Sequence, residues 1–179
     1  MQRRICVVLE SPPAPHSYDL TLLERLLAHA GISLSSCLLT HLLPAYTAHP
    51  ERVKWTSDEM QAALTALTER LTTYAPQFVI LFDRSGILLR AFSGEKRSVD
   101  DYRGSLFVAN AIAPGVKYLA TYSMGRLRID YGLTAVVKFD LARAAKEAQM
   151  DELVLPERRI RICMPDGKGL DLYTQPLQS

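Results

Sequence analysis

The chain has 179 residues, 48% of them hydrophobic and 22% charged, with a formal net charge of +2. That length suits one compact domain able to bury a single core, and the near-average composition excludes disordered, collagenous and coiled-coil proteins. A balance of 21 Lys and Arg against 19 Asp and Glu excludes a wholesale electrostatic nucleic-acid binder, though not a local basic groove.

In chain order, residues 5–9 form a β-branched and apolar run expected of a strand buried on both faces. Residues 10–15, with Pro12, Pro13 and Pro15, must form a loop at its C-terminal end. Asp19 is expected to cap a helix carrying Leu20, Leu23, Leu26, Leu27 and Ala30 on one face, ended by Gly31. Residues 37–43 read as a second strand stopped by Pro44, and 46–55 as irregular. Thr56 and Glu59 make a capping-box pattern ahead of an amphipathic helix through Met60, Ala63, Leu64, Leu67 and Leu71.

Residues 78–82 read as a third buried strand, 85–92 as a short helix and 93–104 as a polar, charged loop. Two further strands, 105–109 and 117–122, are joined through the turn signal at Ala113, Pro114 and Gly115. A polar, basic stretch over 123–132 leads into a final helix, 133–150. Strands separated by helices imply right-handed crossovers and a mainly parallel α/β sheet, whose ligands bind beyond the C-terminal strand ends. Here those ends are 10–15, 41–49, 83–85 and 123–128. The domain is expected over 1–153. Residues 154–179, with strand-like alternation around Ile160 and Ile162, read as an added edge strand or the start of a further domain.

The odd, widely spaced Cys6, Cys37 and Cys163 argue against a disulfide framework, and the lack of a CxxC pair against zinc or an iron–sulfur cluster. A reducing, cytoplasmic setting and no metal or other cofactor are therefore expected. The N-terminal apolar run stops at Glu10, too short for an export signal. Residues 26–50 carry no formal charge, but His29, the serines, Thr40, His41 and Pro44 would need partners in hydrocarbon, which excludes a membrane span.

Candidate chemistry sits at the strand ends. Glu10 is placed either to contact a ligand or to serve as a solvated cap, and His41 either as a general acid or as a structural histidine. Ser123, Arg126 and Arg128 could hold phosphate oxygens or merely form a solvated turn. Arg84, Arg90, Lys96, Arg97 and Arg103 lie among Glu95, Asp100 and Asp101, a mixed-charge face. Phosphate-cradling glycine loops, GxSxG and HExxH are all absent from the sequence.

From Ile5 to Ala148 the order of segments resembles the uracil-DNA glycosylase superfamily, in particular the branch shared by thermostable glycosylases and a domain fused to some bacteriophage DNA polymerases. The resemblance rests on Val8-Leu-Glu-Ser-Pro-Pro13, on the leucine-rich helix ending in Ala30-Gly-Ile32, and on Leu38-Leu-Thr-His41. It continues through Ala75-Pro-Gln-Phe-Val-Ile-Leu81, Arg103-Gly104 and Ala120-Thr-Tyr-Ser-Met124. It implies a three-layer α/β/α sandwich around a mainly parallel four-stranded sheet. It also implies base excision, in which uracil is flipped from DNA and its glycosidic bond cleaved. In that scheme Glu10 positions water, while Ser11, Pro12, His16, Tyr18, Arg103, Tyr122, Arg126 and Arg128 face DNA or the base.

The departures from the family pattern are chemical. Pro13 replaces a loop glycine, the aromatic that stacks on uracil is missing, His41 stands at the base-reading Asn, Ser123 at the catalytic His, and Met124 at the Pro that follows. Loss of a single anion-stabilising donor costs roughly 2.7–4 kcal/mol of transition-state stabilisation. The expectation is therefore an impaired or inactive glycosylase-like domain that binds single- or double-stranded DNA, at the N-terminus of a phage-type polymerase or beside a replication protein. An active glycosylase using Glu10 and His41, and a protein-interaction module, are the competing readings. A cleft walled off by Pro12, Pro13 or Met124 would argue against base access.

Overall fold

The computed structural model describes residues 4–150; the expected extension over 154–179 lies outside them. Strand β1 (Ile5–Leu9) is buried at every position, as its unbroken apolar run requires. Helix α1 (Asp19–His29), β2 (Leu38–His41), α2 (Asp58–Tyr74), β3 (Phe78–Asp83), α3 (Ile87–Ser93) and α4 (Val99–Tyr102) follow. The fold closes with β4 (Leu106–Val108), β5 (Lys117–Tyr122), α5 (Met124–Ile129) and α6 (Thr134–Ala148).

The strands stand in the order β2-β1-β3-β5-β4, and all neighbours are parallel except β4 with β5. This is a five-stranded sheet, one strand more than the expected four. The link between β4 and β5 is too short for a parallel crossover, so β4 folds back as an antiparallel edge. The chain leaves β1 for β2 on one side, then returns past β1 to β3 and on to β5. Right-handed crossovers then place α1 on one face and α2 and α3 on the other. Helix α6 packs on both α1 and β5, and α5 packs on α1, so helices cover both faces of the sheet. The same reversal opens a crevice outside the C-terminal ends of β1 and β3, where the two connections diverge.

Local details depart from the expected pattern for identifiable reasons. Asp19 is the first residue of α1, not its cap; Tyr18 holds the cap position without a side-chain bond. Asp19 is buried beside Arg128, so the inner face runs through Asp19, Leu23, Leu26 and Leu27 and leaves Leu20 exposed. Ser57, not Thr56, caps α2, its Oγ accepting the Met60 N–H at 3.3 Å. Met60, Ala63, Leu67 and Leu71 are buried as expected, whereas Leu64 is half-buried. The stretches read as polar loops hold α4 and α5, helices too short for apolar periodicity to register. Among the described residues no helix is long and apolar enough to cross a membrane.

A buried acid ties α6 to the sheet. Asp140 accepts the Thr121 hydroxyl at 2.7 Å and the Arg103 guanidinium at 3.1 Å. Burial raises its pKa above the ordinary aspartate value, against the opposing pull of Thr121 and Arg103. Gly104 fits beside it because a Cβ there would meet Asp140 Oδ1 at 2.5 Å. Asp140→Ala leaves the fully buried Thr121 hydroxyl without its acceptor. Urea unfolding is expected to show a loss of about 1–3 kcal/mol for that orphaned group alone.

Candidate functional site

The crevice between β1 and β3 is built around two carboxyls. Glu10 leaves β1 only 7% exposed. Its Oε1 accepts the Ser85 backbone N–H at 2.9 Å and the Ser85 hydroxyl at 2.5 Å. Asp83 ends β3 wholly buried, its Oδ1 accepting the Gly86 N–H and its Oδ2 the Leu89 N–H, each at 2.9 Å. Because Leu9 pairs with Phe82 in the parallel register, the next residues, Glu10 and Asp83, fall side by side.

Burial first, then the charge of Glu10 and its hydrogen bond, push the Asp83 pKa well above the usual carboxylate range; the two backbone donors oppose this without cancelling it.

Above this pair lies a cleft of about 210 Å³. Its lining comes from all four strand ends, including Glu10 to Ala14, Tyr46 to Ala48, Arg84, and Ser123 to Gly125 with Arg128 and Ile129. Pockets that enclose a whole drug-sized ligand hold roughly 300–1,000 Å³, so this one is smaller than a whole ligand of that size needs.

Five of the residues expected at a site converge here: Glu10, Ser11, Pro12, Ser123 and Arg128. Ser11 Oγ is 3.5 Å from the Thr47 N–H, which pins the loop after β2 against the loop after β1. Ser123 is an N-cap, its Oγ accepting the Arg126 N–H at 3.4 Å while its own N–H donates to the Asp83 carbonyl at 3.1 Å. Arg128 reaches Asp19 at 3.6 Å from an exposed position, a pairing that water screens strongly.

The other six lie elsewhere. His41 is not in the cleft lining; its Nδ1–H donates to the Leu43 carbonyl at 2.7 Å, and its own carbonyl accepts from Arg70. His16, at φ 59°, lies within the turn closed by the Ser17 N–H on the Ala14 carbonyl, Tyr18, 86% exposed, follows it, and both sit outside the lining. Arg103 is held by Asp140. Tyr122 is buried and donates to Asp100 at 2.8 Å, while Arg126 reaches Asp100 at 3.4 Å and lies over the Tyr122 ring. Burial, then Asp100, raises the Tyr122 pKa.

Sequence reasoning missed Asp83, Arg84 in its cleft position, and Tyr46. The strand-end rule had marked 83–85, but an apolar strand running into Asp-Arg-Ser-Gly says nothing of the acid's burial. Among the described residues no group of three His, Cys, Asp or Glu side chains is arranged to hold a metal ion. Compared with known protein families and with curated proteins, the chain matches none.

Two outcomes follow from the carboxyl pair. The protonated form of Asp83 favours the fold because its folded pKa exceeds its unfolded one. That contribution is complete below the ordinary aspartate range and is lost as pH rises through the folded value. Urea titrations across pH should therefore show wild-type stability falling over that window relative to Asp83→Asn, and a difference of opposite slope would refute the raised Asp83 pKa. Gly86 sits at φ 81°, where an added Cβ would meet the Arg97 carbonyl oxygen at 2.3 Å. Gly86→Ala is expected to cost about 1–3 kcal/mol in the same measurement.

Proposed function

We propose that this domain binds DNA through the β1/β3 cleft without excising bases, as a glycosylase-like module of the kind fused to some bacteriophage DNA polymerases. The mainly parallel sheet with helices on both faces is the architecture that the sequence resemblance implies. What carries the non-excising half of the reading is the commitment of Glu10. Its Oε1 accepts both the Ser85 N–H and the Ser85 hydroxyl, and the residue is only 7% exposed. A carboxylate so engaged is a poor activator of water, which needs a free lone pair within hydrogen-bond reach.

The other two catalytic positions point the same way. His41 donates to the Leu43 carbonyl and lies outside the cleft lining, and the Ser123 hydroxyl accepts the Arg126 N–H as the cap of α5. Pro12, Pro13 and Met124 all stand in the cleft wall, where they narrow access for a flipped base. The DNA-binding half rests on Arg84 and Arg128 in the lining, which offer guanidinium donors to phosphate oxygens.

Incubation with uracil-containing single- and double-stranded oligonucleotides is expected to release no uracil. Release that vanishes in Glu10→Gln and His41→Ala would establish the active-glycosylase alternative instead. Fluorescence anisotropy with labelled DNA should show affinity that falls with added salt and weakens in Arg84→Ala and Arg128→Ala. Absence of binding at low salt would overturn the DNA reading and favour a protein partner.

A further inference from the structure

Beside the cleft, and sharing Thr47 with it, lies a second, shallower hollow of about 470 Å³ lined by His49, Arg52, Lys54 and Glu59. The two concavities are consecutive along one strap of chain. Tyr46, 43% exposed, lines the cleft, Thr47 lines both, and the short 3₁₀ turn Pro50–Arg52 carries the chain into the hollow. The strap is anchored from beneath by the Thr47 N–H on Ser11 Oγ.

Its charges are unequally engaged. His49 Nδ1 pairs with Glu51 at 2.9 Å. Burial raises the Glu51 carboxyl, yet its own backbone N–H, His49 and Arg84 together hold it below the ordinary glutamate value. Arg84 thus acts on both the cleft and the strap. Arg52 and Lys54 are exposed, and neither joins an ion pair among the described residues. Glu59 is the opposing charge in the hollow, on the first turn of α2, where the helix N-terminus favours an acid.

We infer that the cleft and this hollow form one track for a single strand of nucleic acid, with an unpaired base stacked on Tyr46 and flanking phosphates held by Arg52 and Lys54. The inference rests on the DNA-binding reading above and adds to it the strand's path and its single-stranded character. An exposed ring in the cleft, followed along the chain by the exposed cations Arg52 and Lys54, is an arrangement that sequence-tolerant single-strand binders use, because every base has a face to stack and every step a phosphate to neutralise. A duplex keeps its base faces covered and cannot use Tyr46 this way.

The test is anisotropy of the full chain with a fluorescent oligothymidylate of about ten nucleotides, measured over a salt series. Arg52→Ala with Lys54→Ala should weaken binding and flatten the slope of log affinity against log salt by about 1.4, the release expected for two single-strand phosphate contacts. Tyr46→Ala should weaken binding at least about fivefold with the slope unchanged, and Tyr46→Phe should restore it. Glu59→Gln should tighten it. If the double variant binds like wild type while Arg84→Ala and Arg128→Ala still weaken binding, the track is refuted and the cleft reading stands. Equal or tighter binding of the matching duplex also refutes it. If wild type binds neither DNA, this inference and the reading beneath it fall together.

Discussion

The meeting of Glu10 and Asp83 is the constraint around which the binding end of this molecule is organised. Parallel pairing of β1 with β3 forces two acids into contact where the strands end. A ring of donors, with an Asp83 pKa raised well above its ordinary value, makes that contact tolerable. Through its carboxyl Asp83 fixes the start of α3, and through its carbonyl it receives the N–H of Ser123, which positions α5. Through its carbonyl Glu10 receives the Leu43 N–H and so places the chain that leaves β2. Four strand ends are thereby referenced to one buried pair, and the cleft inherits its shape from them.

The same arrangement commits side chains beside the cleft to structural bonds. An acid that is to polarise water must be approachable, whereas Glu10 is nearly covered and accepts two donors from Ser85. A donor that is to meet a developing anion must face it, whereas the His41 ring satisfies its own chain two residues on. Side chains that carry the architecture are in place. Glu10 and His41 are engaged in structural bonds, whereas Arg84 and Arg128 line the cleft.

Much of the fold was legible in the sequence because it is written in apolar runs and breakers. β1 and β3 announce themselves as apolar runs, the leucines of α1 and α2 recur at helical spacing, and the link through Ala113 to Gly115 marks the hairpin. What could not be read was whatever depends on a polar group's partner. Nothing in Asp19 foretold that it would be buried near Arg128 while Leu20 stayed exposed. Helices α4 and α5 have too few buried residues to show a period. For the site, the strand-end rule found the right loops, and Glu10, Ser11, Pro12, Ser123 and Arg128 do meet. His41 was misplaced because a strand's last side chain alternates between faces, and composition does not reveal which one it takes.

Strand β1 lies between β2 and β3, and β3 begins at residue 78. The first strand made is therefore interior to the sheet and has one edge unsatisfied until more than seventy further residues exist. Closing such separations costs chain entropy before any sheet contact rewards it, which slows folding relative to a bundle of the same size. During synthesis the apolar Ile5–Leu9 segment thus waits, able to pair with any stray edge, until Phe78–Asp83 emerges. Assembly of this domain is accordingly gated by its third strand rather than begun by its first.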